Sequence, residues 1–383
     1  MIGSLHSLNQ LANRHAGKLL LLGLVGVAAY NWRQWQRDKT LLARDEEPGP
    51  PPPLEAWPDL PLVSVLVAAW NEADMIEQHI ESFLALRYPN KELILCAGGD
   101  DGTYEIARRH TGEGMVVLEQ QAGEGKQAAL SRCLAEAGGE LIFLTDADCL
   151  LNDEAFTRTL APLVLEREAA ATGRSRPLAE QLAEPFTVYQ WCTDIYVAAQ
   201  YGEYVPGILG RNCAVTRQAL EQIDGFQANV RTGTDYHMAK SLLRQGYRIR
   251  YVGDSTIESR YPATVRSYWR RQSRWVRNLM IHGPAFGAQD EVVMALRTSL
   301  VGLAMLLLLP VAALLAGPVI LALWGVLFFQ AFLAKMRYAG FARLLLRAPV
   351  TARQLVWTPA YILADFFAWS RPLVDLLPHR ERW

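Results

Sequence analysis

Two aspartates two residues apart, Asp146 and Asp148 in T-D-A-D, are the sharpest chemical feature of the chain. They leave a short apolar run, Leu141 to Thr145, and so stand where a buried strand would reach its carboxyl end. Paired carboxylates at such a place suit a hard, oxygen-seeking cation. Mg²⁺ typically takes one or two carboxylates and fills its remaining positions with phosphate oxygens and water. Two further polar groups follow apolar runs in the same way. Asn71 and Glu72 come after Leu62 to Ala69, and Asp100 and Asp101 come after Glu92 to Ala97. Turn-forming Asp is common after any strand, so each group alone says little. Three acidic groups at three strand ends call for one explanation, a shared binding rim. Lys126, in G-E-G-K, can offer positive charge to phosphates, although the stretch does not match a P-loop.

The elements that must position these residues alternate. Leu62 to Ala69 is a β-branched run without a polar face, which predicts a strand buried on both sides. Strand patterns recur at 92–97, 115–118 and 141–145, separated by helical patterns at 73–86, 103–110 and 126–137. Short connections between alternating strands and helices predict an open α/β sheet, whose ligands sit at the carboxyl ends of its strands.

The whole chain narrows the function further. Its 383 residues carry a net charge of −1 and a pI near 6.7, which gives no pull toward nucleic acid. Five scattered cysteines without C-x-x-C pairs argue against a disulfide framework or zinc site and suit a reducing compartment. The apolar run Leu19 to Trp32 is short for a spanning helix, which needs ~20 residues. No small-x-small cleavage site follows it, so an uncleaved anchor is expected over 1–46. Arg33, Arg37 and Lys39 place the following chain on the cytoplasmic side. The proline-rich stretch 47–61 predicts a stiff extended spacer. Ser299 to Leu315 and Val319 to Ala334 read as a transmembrane hairpin broken at 316–318, with basic residues from Lys335 onward returning to the cytoplasm. The segment Leu355 to Trp369 holds Pro359 and Asp365 and is followed by Arg371, Arg380 and Arg382, so an interfacial path competes with a span.

The order of motifs resembles glycosyltransferase family 2, the inverting nucleotide-sugar enzymes of GT-A-type fold. V-S-V-L-V-A-A-W-N-E is similar to the opening strand of that family, and G-G-D-D-G-T to its nucleoside-binding turn. G-K followed by a helix and L-I-F-L-T-D-A-D resembles its lysine, helix and metal-binding strand. Residues 210–226 resemble an acceptor-side loop and helix. T-G-T-D at 232–235 stands in the place of the general base, and R-Q-S-R-W at 271–275 resembles a motif of membrane-integrated members. The resemblance covers about 62–280.

The resemblance implies roles residue by residue. Ala69, Asn71, Glu72, Asp101, Lys126, Asp146, Arg271 and Arg274 would face the donor nucleotide, and Asp146 and Asp148 would hold Mg²⁺ or Mn²⁺. Asp235 would be the catalytic base, with Gly210, Arg211, Asn212, Thr234 and Trp275 on the acceptor side. Thr234 stands where many members have glutamate, and Arg271 where polysaccharide synthases have glutamine. The latter is similar to the ceramide glucosyltransferase-like branch and puts a polymer product in doubt. The expected plan is an anchor (1–46), a linker (47–61), a cytoplasmic α/β transferase domain (62–261), amphipathic interface helices (262–298), and a C-terminal hairpin with an interfacial segment (299–383). The expected location is a plasma or inner membrane. The expected partners are a nucleotide sugar, expected to be UDP-linked, a lipid or glycan acceptor, and membrane lipids. A non-catalytic nucleotide-binding scaffold is the rival reading, and it has no use for Asp235 or Trp275.

Overall fold

The structure is a computed structural model, and it describes residues 14–43, 49–112, 114–227, 230 and 232–375. Arg380 and Arg382 lie outside the described residues. The chain forms two compact units, one of residues 47–179 and 200–261, the other of 1–46, 180–199 and 262–383.

The first unit is built on an eight-stranded sheet. Its strands are β1 (Val63–Trp70), β2 (Lys91–Gly98), β3 (Met115–Glu119), β4 (Leu141–Leu144), β5 (Cys149–Leu150), β6 (Ala170–Pro177), β7 (Cys213–Thr216) and β8 (Arg250–Ser259). The spatial order is β3-β2-β1-β4-β7-β6-β8-β5. The half formed by β3, β2, β1 and β4 is parallel, as the alternating pattern predicts. The other half is mixed: β7 runs antiparallel to β4 and β6, β6 is parallel to β8, and β5 is antiparallel to β8. Successive residues of β1 explain its lack of a polar face. Val63, Val65, Val67 and Ala69 join one apolar core with Ile76, Ile80, Phe83, Phe156 and Leu160. Leu66 points the other way, into a second core with Ile94, Leu130, Cys133 and Leu242. Strand side chains alternate between faces, so a strand covered by helices on both sides must be apolar throughout.

The second unit is helical. Two of its helices, Gln289–Ala316 and Pro318–Leu346, are long and apolar enough to cross a membrane, and only 17% and 6% of their most apolar windows are buried. A soluble core helix would be covered. The break expected at 316–318 is present at Gly317, whose φ of 94° separates them. A π-type turn at Ala304–Leu308 interrupts the first helix, and the Trp324 indole N–H donates to the Met305 carbonyl there (2.8 Å). The apolar run expected as an anchor lies within the helix Ala16–Leu42. That helix packs on Pro318–Leu346, where a Cβ on Gly23 would lie 2.6 Å from Val326. The Asn31 amide donates to Gln330 (2.7 Å), and Arg337 pairs with Asp38 (2.5 Å).

Two expected boundaries differ. Residues 180–199 join the helical unit rather than the sheet unit. The helix Pro185–Ala198 buries Phe186, Val188, Tyr189, Trp191, Cys192 and Ile195, an apolar set too wide for one face. No break occurs at 298/299, because the helix from Gln289 runs through it. The last segment forms one helix, Ala352–Asp375, which includes Pro359 and Pro372.

Candidate active site

β1 ends at Trp70, and the chain turns at Asn71 with φ 57°. Asparagine tolerates this left-handed conformation better than most residues. Its N–H donates to the Gly98 carbonyl (3.1 Å), and its Oδ1 accepts from the Asp100 N–H (2.9 Å). Gly99, at φ 121°, leaves room for this contact, since a Cβ there would stand 2.0 Å from Asn71 Oδ1. The Asp101 carboxylate accepts from the N–H of Ala73 (3.0 Å), and from the N–H (3.0 Å) and hydroxyl (2.6 Å) of Thr103. What burial there is would raise this carboxyl, but the donors of Thr103 and Ala73 outweigh it and hold it below the usual aspartate range. These bonds lace the ends of β1 and β2 into one rim.

Asp146 and Asp148 follow β4 on a tight turn. The Cys149 N–H donates to the Asp146 carbonyl (3.1 Å), and the Arg260 N–H to the Asp148 carbonyl (2.9 Å). Lys126, at the start of the helix Gly125–Glu136, donates its ammonium to Asp146 Oδ1. Burial disfavours the Lys126 charge, but Asp146 first, then Asp235 and Asp148, hold it above the ordinary lysine value. Burial and the Asp148 charge push the Glu72 carboxyl up to about 7, against the opposing pull of Arg260. Arg260 itself reaches Asp74 (2.8 Å) and Glu72 (3.9 Å).

Asp235 lies in the first turn of the helix Thr234–Arg244, which starts after Gly233 at φ 74°. Its Oδ1 accepts from the Tyr236 N–H (2.9 Å). Gly210 stands against it: a Cβ added there would be 3.0 Å from Asp235 Cβ. The next residue, Arg211, donates to Ser259 Oγ (2.6 Å). Burial works against the Arg211 charge, but Cys149, Asp146 and Asp148 keep its guanidinium firmly protonated. Carboxylates from 146, 148 and 235 and cations from 126 and 211 therefore share one electrostatic neighbourhood.

The side chains of two expected residues, Ala69 and Asn212, are buried away from it. Ala69 is fully buried and points into the core, because the alternation of β1 turns Trp70 outward instead. Trp70 is 41% exposed. Asn212 is also fully buried, and its amide is consumed inside the sheet. It donates to the Arg174 carbonyl (2.9 Å) and Ser255 Oγ (3.0 Å) and accepts from Thr159 (3.2 Å). It is an internal tie rather than an acceptor contact. Thr234 is half-buried in the same first turn as Asp235. Arg271, Arg274 and Trp275 lie on the helix Val265–His282 of the helical unit, with Arg274 and Trp275 exposed. Trp70 and Arg260 went unnoticed in the sequence. The period-2 alternation of β1 flags the first, whereas nothing local distinguishes the second.

Among the described residues, no three or more His, Cys, Asp or Glu side chains gather as a metal cage. The donor set is two carboxylates on one turn, beside a glutamate raised by burial and by the Asp148 charge. This fits Mg²⁺ or Mn²⁺ sharing its shell with phosphate oxygens and does not fit a structural zinc site.

Comparison with known proteins bears on the family and the fold. The profile described as "Glycosyltransferase like family 2" matches residues 58–278. A probable glycosyltransferase of Bacillus subtilis, YdaM, is 27% identical over 239 residues, which cover 57% of this chain and 55% of that protein. A poly-beta-1,6-N-acetyl-D-glucosamine synthase of Staphylococcus epidermidis is 23% identical over 227 residues, 56% of this chain and 54% of that one. The chain thus spans about half the length of these relatives. Among solved structures, the mannosyltransferase PcManGT of Pyrobaculum calidifontis, in complex with GDP-Man and Mn²⁺, superposes with a TM-score of 0.55 at 20% identity. It covers 94% of this chain and 100% of that one, and the shared architecture is the GT-A fold.

Proposed function

The chain belongs to the glycosyltransferase-like family 2, and on that premise we propose that it moves a sugar from a nucleoside diphosphate to a membrane-borne lipid or glycan acceptor. The observation that carries the reading is the shared neighbourhood of Lys126, Asp146, Asp148, Arg211 and Asp235. A transferase needs to neutralise a departing diphosphate and to take a proton from an acceptor hydroxyl. Asp146 and Asp148 would hold Mg²⁺ or Mn²⁺, which when bound supplies positive charge to the leaving diphosphate. Lys126 adds a cation at the same place. Asp101, with Asn71 and Glu72, forms the rim that receives the nucleoside. Asp235 accepts the proton of the acceptor hydroxyl from its place in the first turn of its helix. Gly210 stands against Asp235, and Arg211, the next residue, belongs to the acceptor side. Family resemblance assigns Arg271 and Arg274 to the diphosphate and Trp275 to an acceptor ring.

The two exposed apolar helices support a membrane setting, and the basic residues after Trp32 and Ala334 support a cytoplasmic transferase domain. The relatives include a polysaccharide synthase and the superposed structure holds GDP-Man, so both UDP- and GDP-linked donors enter the test. Purified protein with membrane lipid extract and radiolabelled UDP- and GDP-sugars should yield a labelled product with Mn²⁺ or Mg²⁺ and none with a chelator. Full activity of Asp148→Ala would contradict the assignment.

A further inference from the structure

The turn that carries Asp146 and Asp148 is weakly held by the sheet itself. It leads into β5, two residues long and last in the sheet order, so β5 has a strand neighbour on one side only. That neighbour, β8, contributes a ladder of just two residue pairs, Cys149 with Ser259 and Leu150 with Glu258. So short a ladder does little to fix the register of an acidic turn.

The helix Ile76–Leu84 supplies what the ladder lacks. His79 is fully buried, and its Nδ1 is 2.7 Å from the Cys149 carbonyl. A carbonyl only accepts, so Nδ1 carries the proton. Three residues on, Ser82 Oγ accepts from the Leu151 N–H (3.0 Å) while donating to the His79 carbonyl (2.6 Å). Positions three apart lie on one helix face, and this face grips the backbone on both sides of Leu150. Burial holds the His79 imidazole below its ordinary value, so it grips as a neutral donor. Among the described residues Nε2 is buried with no hydrogen-bond partner, and the Cys149 carbonyl is the single bond that orients the ring.

We propose that His79, seconded by Ser82, is the positioning residue of the acidic turn, fixing Asp146 and Asp148 where a divalent cation can be shared with the donor diphosphate. It touches neither substrate nor metal, and acts through the Cys149 backbone. The inference rests on the reading that these two aspartates hold the cation. Outer partners that orient metal ligands typically change metal affinity 10- to 100-fold when removed.

The test is Mn²⁺ binding, by calorimetry and by the electron paramagnetic resonance of the free ion, with and without UDP or GDP. Wild type, Asp148→Ala, His79→Leu, His79→Asn and Ser82→Ala are compared, with far-ultraviolet circular dichroism as the folding control. Asparagine can place an N–H near the position of Nδ1, and leucine cannot. We expect His79→Leu to weaken Mn²⁺ binding by roughly 10- to 100-fold, His79→Asn to restore most of it, and Ser82→Ala to weaken it to a smaller degree. Wild-type affinity in His79→Leu, or equal loss in the Asn and Leu variants, would overturn the proposal. Should His79→Leu not fold, unchanged affinity in Ser82→Ala together with loss in His79→Asn overturns it. If wild type and Asp148→Ala bind Mn²⁺ alike, the metal reading itself fails and this inference falls with it.

Discussion

Gly210 and Asp235 show how closely the site is dimensioned. A methyl group at 210 would press on Asp235 Cβ at 3.0 Å, and the carboxylate would have to move by a few tenths of an ångström. Misplacements of ~1 Å can cost about 10²-fold in rate. We predict that Gly210→Ala lowers transfer about tenfold while nucleoside diphosphate affinity, measured by calorimetry, stays unchanged. Glu72 gives a pH signature. Its folded pKa of about 7 lies above the ordinary value of 4.5, so the unfolded chain loses this proton first as pH rises. The contribution of Glu72 to stability therefore falls between pH 4.5 and 7 and stays low above. Glu72→Gln lacks this penalty, so in chelator it should be more stable than wild type at pH 8 by about 1–3 kcal/mol after allowance for partial exposure. The two should differ little at pH 4.5, with thermal unfolding as the readout. That the acidic pair, Lys126 and Asp235 come near one another could be expected from the sequence, because each follows a recognisable element boundary. The burial of the Ala69 and Asn212 side chains could not be expected, because a motif gives position in the chain and not the direction of a side chain. His79 and Arg260 escaped because their roles depend on backbone atoms 70 and 112 residues away.

Elements show the same division. The parallel half of the sheet was readable because strands buried on both faces leave an unbroken apolar signature. β5, β6, β7 and β8 were not, since a two-residue strand has no pattern, and Ala170–Pro177 carries Thr172, Arg174, Ser175 and Arg176 among its residues. In the helical unit, four helices meet at Asp365, which is 1% exposed. It accepts from Tyr189 (2.9 Å) and Tyr268 and pairs with Lys335 (3.1 Å). The Asp365 that made the last apolar segment ambiguous is thus answered by partners from three other helices, none of them visible to a local reading. Removing one member of a buried ion pair typically costs 3–5 kcal/mol, because the other charge is stranded. We predict a loss of about that size for Asp365→Leu, seen as a lower unfolding temperature in detergent. Combining it with Lys335→Met should recover a good part of the loss, and a double variant no better than the single one would contradict the pairing.

At the scale of the whole molecule, a GT-A sheet unit and a helical unit with two exposed apolar helices make up one chain. All five native cysteines are buried, so they form a quiet background for topology mapping. A cysteine at exposed Gln121 should be protected from an impermeant reagent in sealed cells and labelled once the membrane is opened. Labelling in sealed cells would reverse the proposed orientation. The central claim is that this chain catalyses sugar transfer with Asp235 as the base, and one comparison tests it most directly. Asp235→Asn keeps the size of the side chain and much of its hydrogen bonding, but removes the proton acceptor. Nucleoside diphosphate binding and sugar transfer are measured on the same purified variant. The account predicts wild-type nucleotide affinity and a transfer rate lower by about 10²–10⁴-fold. A helix-start role alone predicts little change, since asparagine also suits helix starts. Near-normal transfer by Asp235→Asn would contradict the account.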